Sequence, residues 1–253
     1  MGLSANTLFH FTKGGFKSLT SILQNGLYPR CSMEYNIFKP SRVPIGIPMI
    51  SFCDIRLSQL EKHINNYGKY GIGLTKSWGE RNGVNPVFYI QKNSGAHHYT
   101  KLIENQFFQN NNSENDLSNL LKLLGYFKSG KAYLWNKERR KFNGTLIEFY
   151  DEREWRFIPY QEALEDFFYY KNFYFTNVSN LSKIDFPMYD YINEKLESYP
   201  LKFNLDNINY VVLEKNEDIK VLMKFIKSKQ LFKGFEEEFA SKITTVKRIK
   251  DDH

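Results

Sequence analysis

Leu8-Phe9-His10-Phe11-Thr12 reads as a hydrophobic strand that carries one imidazole, and the rest of the chain is read outward from it. Successive side chains of an extended segment leave opposite faces, so His10 points away from Phe9 and Phe11. Such a histidine either satisfies a backbone carbonyl in partial burial or donates to a ligand hydroxyl at the mouth of a cleft. After Gly14-Gly15, the residues Phe16, Leu19, Ile22 and Leu23 recur at helical spacing, which predicts a helix over 16–24 that stops at Asn25-Gly26. Late in the chain, 145–150 and 154–159 read as the two arms of a hairpin. Along Asp151-Glu152-Arg153-Glu154-Trp155-Arg156, extended geometry would put Glu152, Glu154 and Arg156 on one face and Arg153 and Trp155 on the other. Two acids so placed raise one pKa unless Arg156 compensates. The pattern fits either a salt-bridged edge strand or a site.

Further strands are expected at 48–52, 70–75, 87–90 and 208–213, with an edge strand at 242–246. Helices are expected at 57–67, 117–127 and 219–227. Short strands mixed with isolated helices predict an α+β domain with a mixed or antiparallel sheet flanked by helices. No internal repeat is present, and Asn110 to Asn115 reads as a surface loop. A single domain over 1–253 is expected, with 110–145 as a helical insertion or loop. The glycines of Tyr67-Gly68-Lys69-Tyr70-Gly71-Ile72-Gly73-Leu74-Thr75 permit either the close approach of a flat ligand or room for neighbouring side chains. Tyr67 and Tyr70 are placed to stack on a heteroaromatic ring. The segment is not a dinucleotide-binding fingerprint. Arg56, just past the strand at 48–52, either holds a diphosphate or faces solvent.

Of 253 residues, 17% are aromatic, which predicts an aromatic-rich core. The net charge of +7 suits a nucleic-acid contact without demanding one, because mild basicity acts mainly on solubility and association kinetics. Residues 137–141 and 242–250 are the basic segments that would reach phosphates. Cys31 and Cys53 have no CxxC spacing, so neither a disulfide framework nor a metal site is expected. The N-terminus resembles neither a signal peptide nor, with Asn6, a myristoylation site. No apolar run approaches the roughly 18 residues that span a bilayer. These features predict a cytoplasmic protein with no membrane partner. Ser51 lacks a nucleophile elbow, and no histidine spacing marks a base for Cys53, which argues against hydrolase chemistry.

Taken in order, His10 in its strand, the helix ending at Gly26-Leu27, the strand before Asp54, the glycine-tyrosine segment and Glu154 resemble the His-Tyr-Glu ADP-ribosyltransferases, including poly-ADP-ribose polymerases and DarT toxins. The resemblance implies a transferase-like sheet and NAD+ as co-substrate. His10 would then bond the nicotinamide ribose, with Phe11 and Thr12 beside it. Tyr70, or else Tyr67, would stack on nicotinamide, and Arg56 would lie near the phosphates. Glu154 would stabilise the cationic sugar as nicotinamide leaves, and Glu152 would orient a nucleic-acid or protein acceptor. Over about 8–250, Pro48-Met49-Ile50-Ser51-Phe52-Cys53-Asp54 and the segments 67–78 and 151–159 more closely resemble the AbiGi-type abortive-infection proteins. These are described as the antitoxin half of a phage-defence pair. Together the resemblances imply first a phage-defence protein that transfers ADP-ribose from NAD+ and pairs with a cognate toxin or antitoxin. The alternative they imply is a non-enzymatic antitoxin that binds and neutralises a partner toxin.

Overall fold

The opening strand lies inside the main sheet. A computed structural model of the chain describes residues 5–35, 44–109, 123, 125–136, 141–159 and 186–251. In chain order the elements begin with β1 (Thr7–Thr12), α1 (Gly15–Asn25), β2 (Arg30–Tyr35) and β3 (Pro44–Cys53). A 3-10 turn (Leu57–Gln59) leads to α2 (Glu61–Tyr67), β4 (Tyr70–Thr75), α3 (Lys76–Arg81), β5 (Asn85–Pro86), β6 (Phe88–Ile90) and α4 (Gly95–Gln109). Then come β7 (Phe127–Ser129), β8 (Lys131–Asn136), β9 (Lys141–Glu148), a 3-10 turn (Phe149–Glu152) and β10 (Glu154–Phe157). The chain closes with α5 (Phe186–Leu196), β11 (Ile208–Leu213), α6 (Glu217–Ser228), α7 (Glu236–Ser241), β12 (Ile243–Thr245) and α8 (Val246–Asp251).

The main sheet runs β12-β11-β4-β1-β3-β10-β5, with β2 added to the N-terminal half of β3. The β11–β12 pair is parallel and the other pairs are antiparallel, so the sheet is mixed. Two smaller pairs stand outside it, β6 with β7 and β8 with β9. Period-two alternation divides the apolar side chains between two layers. Leu8, Ile72, Leu74, Phe52 and Leu213 pack with α1 through Leu19 and Leu23, and with α6 through Leu222 and Ile226. On the other face, Phe9, Phe11, Cys53 and Val212 pack with Ile64 of α2 and with Val246 and Ile249 of α8. The core is therefore α+β, with helices on both faces of the sheet.

Gly71 and Gly73 pair with Phe11 and Phe9 across β4 and β1. A Cβ at Gly71 would sit 2.7 Å from the Phe11 ring, and one at Gly73 would sit 2.8 Å from the Phe9 ring. These two glycines make room for the aromatic side chains of β1.

Several expectations need correction. The segments 145–150 and 154–159 do not form a hairpin: β9 pairs with β8, and β10 pairs with β3 and β5. The 3-10 turn Phe149–Glu152 and the left-handed Arg153 (φ 44°) redirect the chain from one sheet into another. Glu152 is therefore in the turn and not in the strand. The helix expected over 117–127 does not reach its end, since Phe127 opens β7; of that span, 117–122 and 124 lie outside the described residues. Within 110–145, residues 127–129, 131–136 and 141–145 are strand, and the loop at 110–115 lies outside the described residues. The helix expected over 57–67 breaks at Leu60. No helix among the described residues is long and apolar enough to cross a membrane.

Candidate functional site

β10 sets two charged side chains into the sheet. Glu154 lies opposite Cys53 and Arg156 opposite Ser51, so both leave on the face that also carries Phe9. Arg156 is fully buried, although arginine is seldom buried unless paired. Its Nε donates to Glu154 Oε1 at 2.8 Å and its Nη2 to Glu154 Oε2 at 3.1 Å. Nη2 also donates to Glu34 Oε2 at 2.6 Å, and Nη1 to the Gly125 carbonyl at 2.6 Å. Lys128 of β7 closes the cluster. Its Nζ reaches Glu154 Oε2 at 2.6 Å, Glu152 Oε2 at 2.8 Å and Glu34 Oε1 at 3.9 Å, and it stands 4.2 Å from the centroid of the Phe149 ring. Ser51 Oγ donates to Glu154 Oε1 at 2.8 Å. The Tyr67 hydroxyl donates to Glu152 Oε1, and the Glu154 amide donates to the Tyr89 hydroxyl at 2.8 Å.

Electrostatics separates the two neighbouring acids. Burial alone would push the Glu154 carboxyl up, but Arg156 and Lys128 outweigh it and hold the group below the usual carboxylate range. Burial raises Glu152, and Lys128 offsets only part of that rise. Burial opposes the charge on Lys128, yet Glu154, Glu34 and Glu152 together hold its pKa well above the ordinary value. Burial pushes Tyr67 up, and the adjacent Glu152 pushes it further. His63, stacked on Tyr67 with ring centroids 4.4 Å apart, is pushed down to about 4 by burial and by Lys128.

A cleft of about 330 Å3 opens beside the cluster, with Tyr67, His63, Asn66, Glu152, Asp151 and Arg153 in its walls. A second cleft, of about 400 Å3, has Arg56 in its wall along with Thr7, Phe9, Asn209 and Tyr210.

The structure brings together only some of the residues that the transferase resemblance assigns. Tyr67, Glu152 and Glu154 converge on Lys128. His10 shares a face with Ile72 and Phe52, opposite to the face that carries Glu154. Its Nδ1 donates to the Ser51 carbonyl at 2.8 Å, and burial lowers its pKa against the effect of that bond. Thr12 accepts from the Gly14 amide, and Phe11 is buried against His63. The Tyr70 hydroxyl donates to Asp218 at 2.9 Å, and its ring lies edge-on to Phe16. Arg56 lines the second cleft. Glu34, Ser51, Tyr89 and Lys128 were not anticipated as partners. A lone lysine beside the aromatics Tyr126 and Phe127 is a signal that could have singled out Lys128, and nothing in the sequence marks the other three. Among the described residues, no group of His, Cys, Asp and Glu is arranged to hold a metal ion.

Fold and site together define an α+β protein whose mixed sheet is closed over a buried, hydrogen-bonded ionic cluster. The chain belongs to the AbiGi family of abortive phage resistance proteins: residues 27–214 match the family described as "Putative abortive phage resistance protein AbiGi, antitoxin". It is similar to the abortive phage resistance protein AbiGi of Lactococcus lactis subsp. cremoris, with 30% identity over 247 residues covering 89% of this chain and 97% of that protein. No solved structure matches the chain. The seven residues Glu34, Ser51, Tyr67, Lys128, Glu152, Glu154 and Arg156 all fall within the matched span, whereas His10 lies before it.

Proposed function

We propose that this chain is a non-enzymatic AbiGi-type antitoxin that acts in the cytoplasm by binding and neutralising a partner toxin. The family description supports the antitoxin role. The observation that carries the non-catalytic part is the saturation of Glu154. A carboxylate offers about four acceptor sites. In Glu154 these are taken by Ser51 Oγ and Arg156 Nε on one oxygen and by Lys128 Nζ and Arg156 Nη2 on the other. A carboxylate so occupied has no acceptor left for a ribose hydroxyl, and its charge is already compensated before any cationic sugar forms. The cluster acts instead as a structural lock that fixes β10, β3, β2 and β7 relative to one another, and so fixes the surface presented to a partner. Cys31 and Cys53 are buried and not joined in a disulfide, which suits a reducing compartment.

The test pairs the purified chain with the product of the neighbouring gene. The expected result is a stable complex and relief of that product's toxicity, both unchanged by His10→Gln. Incubation with radiolabelled NAD+ and bacterial lysate should pass no label. Transfer of label to protein or nucleic acid that His10→Gln abolishes would replace this reading with an NAD+-dependent ADP-ribosyltransferase.

A further inference from the structure

Several surface cations of this chain are paired within it. Arg30, Lys69, Lys131, Lys242 and Lys250 each face a carboxylate, from Glu197, Glu214, Glu148, Glu238 and Glu61 respectively. Of the segment 242–250 expected to reach phosphates, Lys242 and Lys250 are thus engaged within the protein while Lys247 and Arg248 are exposed, and 137–140 lie outside the described residues. Lys220, Lys224, Lys227, Lys229 and Lys233 are exposed, and none forms an ion pair among the described residues.

Three of these lysines form one row. Lys220, Lys224 and Lys227 stand at i, i+4 and i+7 of α6 and share its outer face. The inner face, through Leu222 and Ile226, is sunk in the core, so the row is carried on a fixed helix. The two acids of α6, Glu217 and Asp218, are confined to its first turn, which leaves the rest of its outer face with lysine as its only charge. Lys229 and Lys233 are exposed in the turn that follows. That turn is pinned inside by Phe232, stacked on Phe239 with centroids 4.9 Å apart. Outside it, just past Lys233-Gly234, Phe235 stands 60% exposed.

We infer that the outer face of α6 and its following turn binds single-stranded nucleic acid. The lysines would contact the phosphate backbone and Phe235 would offer a ring for a base to stack on. An unpaired lysine row alone fits any polyanion. The large exposed aromatic in the segment that follows favours a single strand over an acidic protein surface, because every base presents a stacking face and a carboxylate side chain does not. This surface lies beyond the family-matched span, which ends at residue 214, and it is independent of the antitoxin reading.

The test is fluorescence anisotropy of the full chain alone with labelled dT20 and U20, from 50 to 300 mM salt. Binding should weaken with salt, and Lys220→Gln/Lys224→Gln/Lys227→Gln should lower the log–log salt slope by about 2, since each lost phosphate contact on a single strand removes about 0.7. Phe235→Ala should weaken binding about tenfold. Glutamine is a good helix former, so the triple variant keeps α6, which circular dichroism verifies. Three results would each overturn the inference: no binding at 50 mM salt, a salt slope unchanged in the folded triple variant, or competition by poly-glutamate as effective as that by unlabelled dT20.

Discussion

Glu154 and Arg156 stand two residues apart on β10 and hold each other through two hydrogen bonds, of 2.8 and 3.1 Å, on the sheet face that also carries Phe9 and Cys53. The second neighbour in a strand is usually too far for a short side chain to reach. The length of arginine lets its guanidinium fold back along the face and grip both carboxylate oxygens. The same guanidinium extends to Glu34 on β2 and to the Gly125 carbonyl, so one fully buried cation ties β10 to β2 and to the segment that leads into β7.

Removing both partners of this pair should cost less than the two single losses added together. Arg156→Met leaves Glu154 and Glu34 facing Lys128 alone in a dry interior, and we expect a loss of about 3–5 kcal/mol in urea unfolding. Adding Glu154→Leu to the same chain removes the stranded carboxylate. The double variant should therefore be more stable than the sum of the two single losses implies, by about 1–3 kcal/mol. Additive losses would mean that the two side chains are not coupled.

The pH dependence of stability follows from His63. Its folded pKa of about 4 lies below its ordinary value of 6.5, so on acidification the unfolded chain takes up a proton that the folded chain refuses. The stabilisation from its neutral form is full at neutral pH and is lost between 6.5 and about 4, at no more than about 1.4 kcal/mol per pH unit. His10, also lowered by burial, acts in the same sense. Glu154, held below the carboxylate range, removes stability only once the pH falls below 4.5, while the raised Glu152 acts oppositely. His63→Phe keeps the stack between Phe11 and Tyr67. It should flatten the stability profile between pH 6.5 and 4.5 and leave the steeper fall below 4.5. Parallel profiles for the two proteins would refute the assignment.

Where local pattern decides structure, the sequence was readable. Tyr70–Thr75 and Ile208–Leu213 form strands over the spans expected for them, because runs rich in apolar and β-branched residues bounded by polar turns leave little alternative. The face shared by Glu154 and Arg156 was legible for the same reason. Pairing partners were not. β9 and β10 alternate equally well, and nothing in their composition says that the first joins β8 and the second β3. The opposition of His10 and Glu154 depends on the register that aligns Phe9, Cys53 and Glu154, a tertiary property. Glu152 was expected beside Glu154 by alternation. It arrives there from a 3-10 turn instead, drawn by Lys128 and Tyr67.

Both thiols should be inert in the folded protein. Cys31 and Cys53 are buried, burial pushes the Cys31 thiol up to about 12, and Cys53 is raised well above the ordinary range by burial and by the carboxylates of Glu152 and Asp54. Thiolate is the reactive form, so a maleimide at pH 8 should label neither residue in buffer and both in denaturant. Rapid labelling of the native protein would show that the β3 face is open.

The glycines of β4 give a sharper test of what that strand is for. If Gly71 and Gly73 served the approach of a flat ligand, alanine there would impair binding and leave stability almost unchanged. The packing predicts the reverse. The atoms nearest a Cβ at Gly73 belong to side chains, the Phe9 ring and the Thr7 methyl, both at 2.8 Å, whereas one at Gly71 also meets the His10 carbonyl at 2.7 Å. Both substitutions should destabilise by about 1–3 kcal/mol through overpacking, with Gly71→Ala the worse. Phe9→Leu should recover part of the loss in Gly73→Ala, because the smaller side chain vacates the contested space. Phe11→Leu should recover less in Gly71→Ala, because the backbone carbonyl stays where it is. Thermal unfolding of the four variants measures this asymmetry, and equal rescue at the two positions would show that the β1 backbone does not limit the space over β4.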